Sequence, residues 1–198
     1  MVPLRGPHEW ATTTIAHGTA DVEIVRLHAD PDMRMSVSLV RFPPGWQRSI
    51  DGHYDVHEEI VIIDGQLELT GVTYGPSEYG FVPMGGLRRE TATPEGCIAL
   101  AWFGGVPAWT SSPDDDPQGE CCHMALGDLH AGAPGLLLRQ SGEGTCWLTS
   151  GIADGAVADV DTEIVDLTAW AWAWTSAGDA LPPIAGPVLV RRWSPDPG

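Results

Sequence analysis

No apolar run in this chain goes far before a glycine or a proline interrupts it, and that punctuation decides the fold class. The 198 residues include 24 Gly and 17 Pro. Glycine weakens the interior of either regular element and proline removes a backbone donor, so the segments between them must be short. Those segments are rich in Val and Ile and give almost no helical spacing, the pattern of an all-β protein. Strands are expected at 22–27, 36–42, 59–63, 66–69, 79–82 and 97–103. Asp64-Gly65 between the third and fourth reads as a hairpin turn. Further strands are expected at 136–138, 146–148, 163–167 and 188–192. The run 169–174 alternates Ala and Trp, which on a strand places Trp170, Trp172 and Trp174 on one face. Packing between sheets is the favoured role for these rings, with the wall of a ligand cavity as the alternative. Glu23-Ile24-Val25 recurs as Glu163-Ile164-Val165, a faint sign that the second half repeats the first.

Charge narrows the partners. There are 27 acidic and 10 basic residues, a formal charge of −17, which argues against nucleic acid or an anionic membrane as the main partner. All the basic residues are Arg; the chain has neither Lys nor Asn. That absence removes Schiff-base and P-loop lysine chemistry and reads as the codon bias of a GC-rich genome. No stretch approaches the roughly 18 apolar residues of a membrane helix, and residues 1–14 lack a secretory core. The four cysteines, Cys97, Cys121, Cys122 and Cys146, suit a reduced and therefore cytoplasmic protein. Residues 111–120, centred on Asp114-Asp115-Asp116, read as a solvated acidic loop; the spacing of a calcium loop is missing. Cys121-Cys122-His123 with His130 matches no common zinc spacing, and HExxH, GxSxG and GxGxxG are absent.

One stretch carries chemistry. From Pro43 the chain reads PPGWQRSIDGHYDVHEEIVIIDGQLEL. It resembles the first cupin motif, G(x)5HxH(x)3–4E(x)6G, through Gly45, Asp51, His53, Glu58 and Gly65 at the family spacing. The second motif, G(x)5PxG(x)2H(x)3N, resembles residues 77–92, where Pro83-Met84-Gly85 matches PxG and Arg88 stands in the place of the His. The resemblance covers residues 36–103, about a third of the chain. It implies a cupin jelly-roll barrel at 22–110, after an N-terminal extension at 1–21. An acidic linker at 111–135 and a second β-rich half at 136–198 follow, the latter a degenerate cupin repeat or barrel-completing strands.

The same resemblance implies a metal held by Asp51, His53 and Glu58, with Fe, Mn, Ni or Zn as the suitable ions. Arg88 cannot ligate, because guanidinium has no acceptor; it would pair with Asp51 or Glu58 or clamp a substrate carboxylate. The site can therefore also be metal-free. His57 is a spare imidazole nearby, and His53, His57 and Glu59 form an alternative set. A purely structural Asp51–Arg88 pair is the other reading of the same residues. The implied function is a small-molecule enzyme in a barrel lined by Trp46, Tyr54 and Trp102. His53, Glu58, His57 and Arg88 would do acid–base or Lewis-acid work: isomerisation, dehydration, cyclisation or decarboxylation of an organic acid or carbonyl compound. Lyase, isomerase or cyclase activity, for example in secondary metabolism, heads the list. A non-haem iron dioxygenase and a non-catalytic ligand sensor are the alternatives, and a homodimer is the family default.

Overall fold

The computed structural model describes residues 1–32, 34–112, 119–128, 135–141 and 144–193. The expected acidic triple Asp114-Asp115-Asp116 and His130 lie outside the described residues. Among the described residues the regular elements are all strands, apart from one short 3-10 turn at Leu126–Asp128. The first strands are β1 (Val2–Pro3), β2 (Ala11–Thr13), β3 (Val22–Ala29), β4 (Ser36–Phe42), β5 (Trp46–Gln47) and β6 (His53–Tyr54). Next come β7 (Glu58–Gly65), β8 (Leu67–Leu69), β9 (Val72–Tyr74), β10 (Glu78–Val82), β11 (Ala92–Thr93) and β12 (Cys97–Phe103). After them follow β13 (Trp109–Thr110), β14 (Cys122–Ala125), β15 (Leu136–Ser141), β16 (Gly144–Ile152), β17 (Thr162–Asp166), β18 (Ala171–Thr175) and β19 (Ile184–Trp193). Among the described residues no helix is long and apolar enough to cross a membrane.

The chain divides into two compact units, one spanning Pro7–Ala125 and the other combining Met1–Gly6 with Leu126–Gly198. The boundaries differ from the expected ones at two places. Residues 1–21 are no free extension: β1 pairs with β18, and β2 pairs with β3. The expected linker contributes β14, which pairs antiparallel with β10.

In the unit Pro7–Ala125, a seven-stranded antiparallel sheet runs β14-β10-β7-β12-β4-β3-β2. A four-stranded sheet, β5-β11-β8-β9, packs its apolar face against it. The shared core holds Val22, Val40, Ile60 and Ile62 of the large sheet and Leu67, Leu69 and Tyr74 of the small one. Strand β12 lies between β4 and β7, so neighbours in space are distant in sequence, a jelly-roll arrangement. Pleating sends alternate residues to opposite faces. On β12, Ala99, Ala101 and Phe103 face inward, as do Ser36, Ser38, Val40 and Phe42 on β4. Small residues at four of these inward positions leave the barrel hollow.

Asp64-Gly65 is not a hairpin. Strand β7 pairs with β10 and β12, whereas β8 pairs with β9 and β11. The chain crosses from one sheet to the other at Gly65, and Gln66 N–H donates to Gly96 O at 3.1 Å. Gly65 has φ +74°, and a Cβ there would lie 2.1 Å from that same carbonyl oxygen. The real two-residue hairpin turn is Thr70-Gly71, between β8 and β9, with φ of 52° and 79°.

The second unit is a six-stranded antiparallel sheet, β1-β18-β17-β19-β16-β15, with Ile164, Ile184 and Val188 at its core. Trp170 precedes β18 at φ 49°, so the strict alternation begins only at Ala171. Trp170 and Trp172 are buried, and Trp170 carries the Arg5 guanidinium 4.7 Å above its ring. The recurring Glu-Ile-Val has the same cross-strand setting in both units: Glu23 faces Arg41 and Glu163 faces Arg191.

Candidate functional site

The barrel encloses a cavity of about 390 Å³, and every wall residue comes from the unit Pro7–Ala125. Most of the wall is apolar, including Val22, Ile24, Val40, Ile60, Leu67 and Leu69. Its charged residues are Arg26, Arg48, Glu58 and Arg88, joined by Tyr54, Thr91 and Trp109.

Strand alternation places Glu58 there. Glu58 and Ile60 face the cavity, while Glu59 points to the opposite face, where it is buried and accepts a 2.7 Å bond from Tyr79 Oη. Arg88 Nε and Nη2 lie 3.1 and 3.0 Å from Glu58 Oε2. Arg88 Nη1 donates to Gly86 O at 2.9 Å, and only 2% of the residue is exposed. The Pro83-Met84-Gly85 turn builds this corner: Gly86 N–H donates to Pro83 O and Gly85 N–H to Tyr54 O. Reciprocal backbone bonds between Gly52 and Arg88, 3.1 and 2.7 Å, fix the guanidinium's origin. The first and second motif segments are therefore tied together at Gly52 and Arg88.

Tyr54 stands between two cations. Arg48 Nη2 donates to its Oη at 2.7 Å, and the Arg88 guanidinium lies 4.7 Å from its ring centre. Burial pushes the Tyr54 phenol above its ordinary value, more strongly than the two arginines pull it down, and the Glu58 charge adds to the rise. Its proton therefore stays on and points away from Arg48, available to a ligand. Arg48 stacks 3.8 Å from the Trp109 ring. Gly52 makes room for that indole; a Cβ would lie 2.7 Å from it and 2.1 Å from Thr110 O.

The other expected site residues are elsewhere. Asp51 is exposed and outside the cavity wall. His53 donates from Nδ1 to Ser112 O at 2.8 Å, and His57 accepts at Nδ1 from Met84 N–H at 3.1 Å. Neither imidazole faces the cavity. Trp102 is buried on the opposite face of β12, while Trp46 does line the wall and donates from its indole to Ala20 O at 3.0 Å. The pairing imagined between Asp51 and Arg88 is made by Glu58 instead. Of the expected set, Glu58, Arg88, Tyr54 and Trp46 converge; Asp51, His53, His57 and Trp102 do not. Missed in the sequence were Arg48, Thr91 and Trp109. Arg48 was within reach, because two residues after Trp46 it shares that residue's inward face.

A divalent cation does not fit this donor set. Among the described residues no three His, Cys, Asp or Glu side chains gather to hold one. The cavity offers one carboxylate, already paired with a guanidinium, beside two further arginines. Guanidinium is a permanent cation without a lone pair to give. Asp51 and His53 are held away from Glu58 because β6 pairs with β13 and turns His53 toward Ser112.

Cys122 on β14 and Cys121 just before it have thiols pushed up by burial, which is the opposite of activation. His123 Nε2 donates to Glu78 Oε2 at 2.9 Å, a bond that closes the β10–β14 edge.

No family model matches the sequence, and no curated protein matches it. Solved structures do. A protein from Nostoc punctiforme, described provisionally as a dioxygenase, aligns over 89% of this chain and 74% of its own with 18% identity and a TM-score of 0.68. Escherichia coli Ylba aligns over 93% of this chain and 87% of its own with 12% identity and a TM-score of 0.57. A glyoxylate-induced protein from Pseudomonas aeruginosa, its function also described provisionally, covers 92% of this chain and 84% of its own with 11% identity and a TM-score of 0.54. At these identities the likeness concerns the fold.

Proposed function

Since the fold is that of the cupins, and since this cavity is walled by Glu58, Arg88, Tyr54 and Arg48, we propose that the protein is a small-molecule enzyme. It moves a proton on a carbonyl compound without a metal at the motif positions. The observation that carries this reading is the exchange of the expected imidazoles for a Glu–Arg pair and a protonated phenol around one hollow. Glu58 is the base. It takes a proton from the carbon next to a carbonyl group, and the C–H electron pair moves onto the carbonyl oxygen. Tyr54 O–H donates to that oxygen, and the Arg48 charge behind the phenol stabilises the enolate. Arg88 orients the Glu58 carboxylate. Return of the proton to another carbon is isomerisation; loss of a hydroxide from the neighbouring carbon is dehydration.

A dioxygenase would need several donors converging on iron, and the cavity supplies one carboxylate among arginines. The test is hydrogen exchange in deuterated water, followed by NMR on a panel of 1,3-diketones and 2- and 3-oxo acids. The wild type is expected to deuterate the carbon next to the carbonyl. Glu58→Gln should lower that rate by about 10²–10⁴-fold. Unchanged exchange in Glu58→Gln would remove the base assigned here. Saturable binding of panel members with no exchange would make the barrel a ligand-binding module.

A further inference from the structure

The cavity and the molecule have opposite electrical character. The chain carries −17 overall, yet its barrel wall holds three arginines and one glutamate. Arg88 is answered by Glu58. Arg48 is not: among the described residues no carboxylate lies within ion-pair distance of it, although only 9% of it is exposed. Its Nε is fully buried and has no acceptor. A buried cation without a counter-charge is costly, and stacking on Trp109 offsets only a part. A second orphan lies beside it. Thr91 Oγ1, also buried and without a partner, belongs to the same wall. The backbone places the two side by side, since Arg48 N–H donates to Thr91 O at 2.9 Å.

We infer that Arg48 and Thr91 form a carboxylate subsite, and that the ligand is a monocarboxylic acid with an apolar body. A carboxylate supplies what both orphans lack: negative charge for the guanidinium and an acceptor for the hydroxyl. One uncompensated buried cation calls for one negative charge. The rest of the wall, Val22, Ile24, Val40, Ile60, Leu67 and Leu69, takes a branched aliphatic or aromatic body and offers it no hydrogen bonds. At about 390 Å³ the cavity sits near the lower end of small-molecule sites, about 300–1,000 Å³. The inference rests on the reading of this cavity as the reaction site and names its substrate class: an oxo acid whose carboxylate is gripped by Arg48 while Glu58 works on the carbon beside the oxo group. Trp109 acts as a positioning residue, holding the guanidinium plane still.

The experiment compares 3-phenylpropanoate with 3-phenylpropanamide, bound to the full chain and followed by tryptophan fluorescence, since Trp46 and Trp109 border the cavity. The wild type is expected to bind the acid at least about tenfold tighter than the amide, the strength of a hydrogen bond to a charged group. Arg48→Met should bring the two affinities within about twofold, and Thr91→Val should lower the ratio partway. Circular dichroism checks that each variant is folded; Arg48→Lys, which keeps the charge and loses the fork, should give an intermediate ratio. Glu58→Gln should lose deuterium exchange without lowering the ratio, since the Arg88 charge it uncovers can only favour the acid, so the subsite and the base fail separately. Equal binding of acid and amide by the wild type, binding of neither, or an undiminished ratio in Arg48→Met would overturn the subsite.

Discussion

Two buried arginines in one wall are used in different ways, and the difference is measurable. Arg88 is bound on three sides by Glu58 and Gly86 O, so its loss leaves a carboxylate and a carbonyl without their donor. Arg48 has no carboxylate to strand. Arg88→Met is therefore expected to lower the unfolding free energy by about 3 kcal/mol, and Arg48→Met to change it little or raise it. Urea titration of both variants checks the order; equal losses would contradict the division of roles. Tyrosines add a pH signature. Burial pushes the Tyr74 phenol up from 10.0 to about 12. A group whose folded value is raised contributes stability that is complete below its unfolded value and disappears as pH rises through the folded one. Wild-type stability should thus fall between pH 10 and about 12, and Tyr74→Phe should flatten that fall. Urea midpoints across this window decide it.

At the level of elements, two glycines of the barrel, Gly65 and Gly71, have different reasons for being glycine. Both have positive φ, 74° at Gly65 and 79° at Gly71. Around Gly71 there is open space, whereas a Cβ on Gly65 would meet the Gly96 backbone at 2.1 Å. Gly71→Ala should cost only the left-handed conformation, about 1 kcal/mol. Gly65→Ala adds a clash between backbones at the point where the chain changes sheets, and should cost about 3 kcal/mol or more. Thermal melts of the two variants check the ranking. The sequence signal was correct that Asp64-Gly65 bends the chain. It could not say whether β8 returns beside β7, because that depends on β10 and β12 already occupying both of β7's edges.

For the whole molecule the dominant long-range term is its own charge. At −17 the folded chain repels itself, and the repulsion is screened by salt. Melting temperature should rise by several degrees between about 20 mM and about 500 mM sodium chloride. A fall over that range would mean that local ion pairs such as Glu58–Arg88 and Glu23–Arg41 outweigh the net charge. Acid binding in the barrel runs against this global field, so it depends on the local surplus of arginine and on exclusion of water from the cavity.

The strand content was legible in the chain alone: short β-branched runs lie between glycines and prolines, and β4 and β12 begin and end where that punctuation places them. The barrel was implied by the resemblance of residues 36–103 to the cupin motifs. It also located Glu58 and Arg88, which pair as an arginine in a histidine's place would suggest. Tertiary structure alone decided which neighbours join them. Motif spacing lists residues along a line, but cavity membership depends on the direction in which each side chain leaves the backbone. Pairing of β6 with β13 turns His53 outward to Ser112, and the Pro83–Gly86 turn engages His57 through Met84 N–H. Arg48, Thr91 and Trp109 enter the site from β5, β11 and β13 edges brought together only when the sheets close. Strand pattern is local and readable, whereas the meeting of side chains from distant strands is set by registers that only the folded barrel fixes.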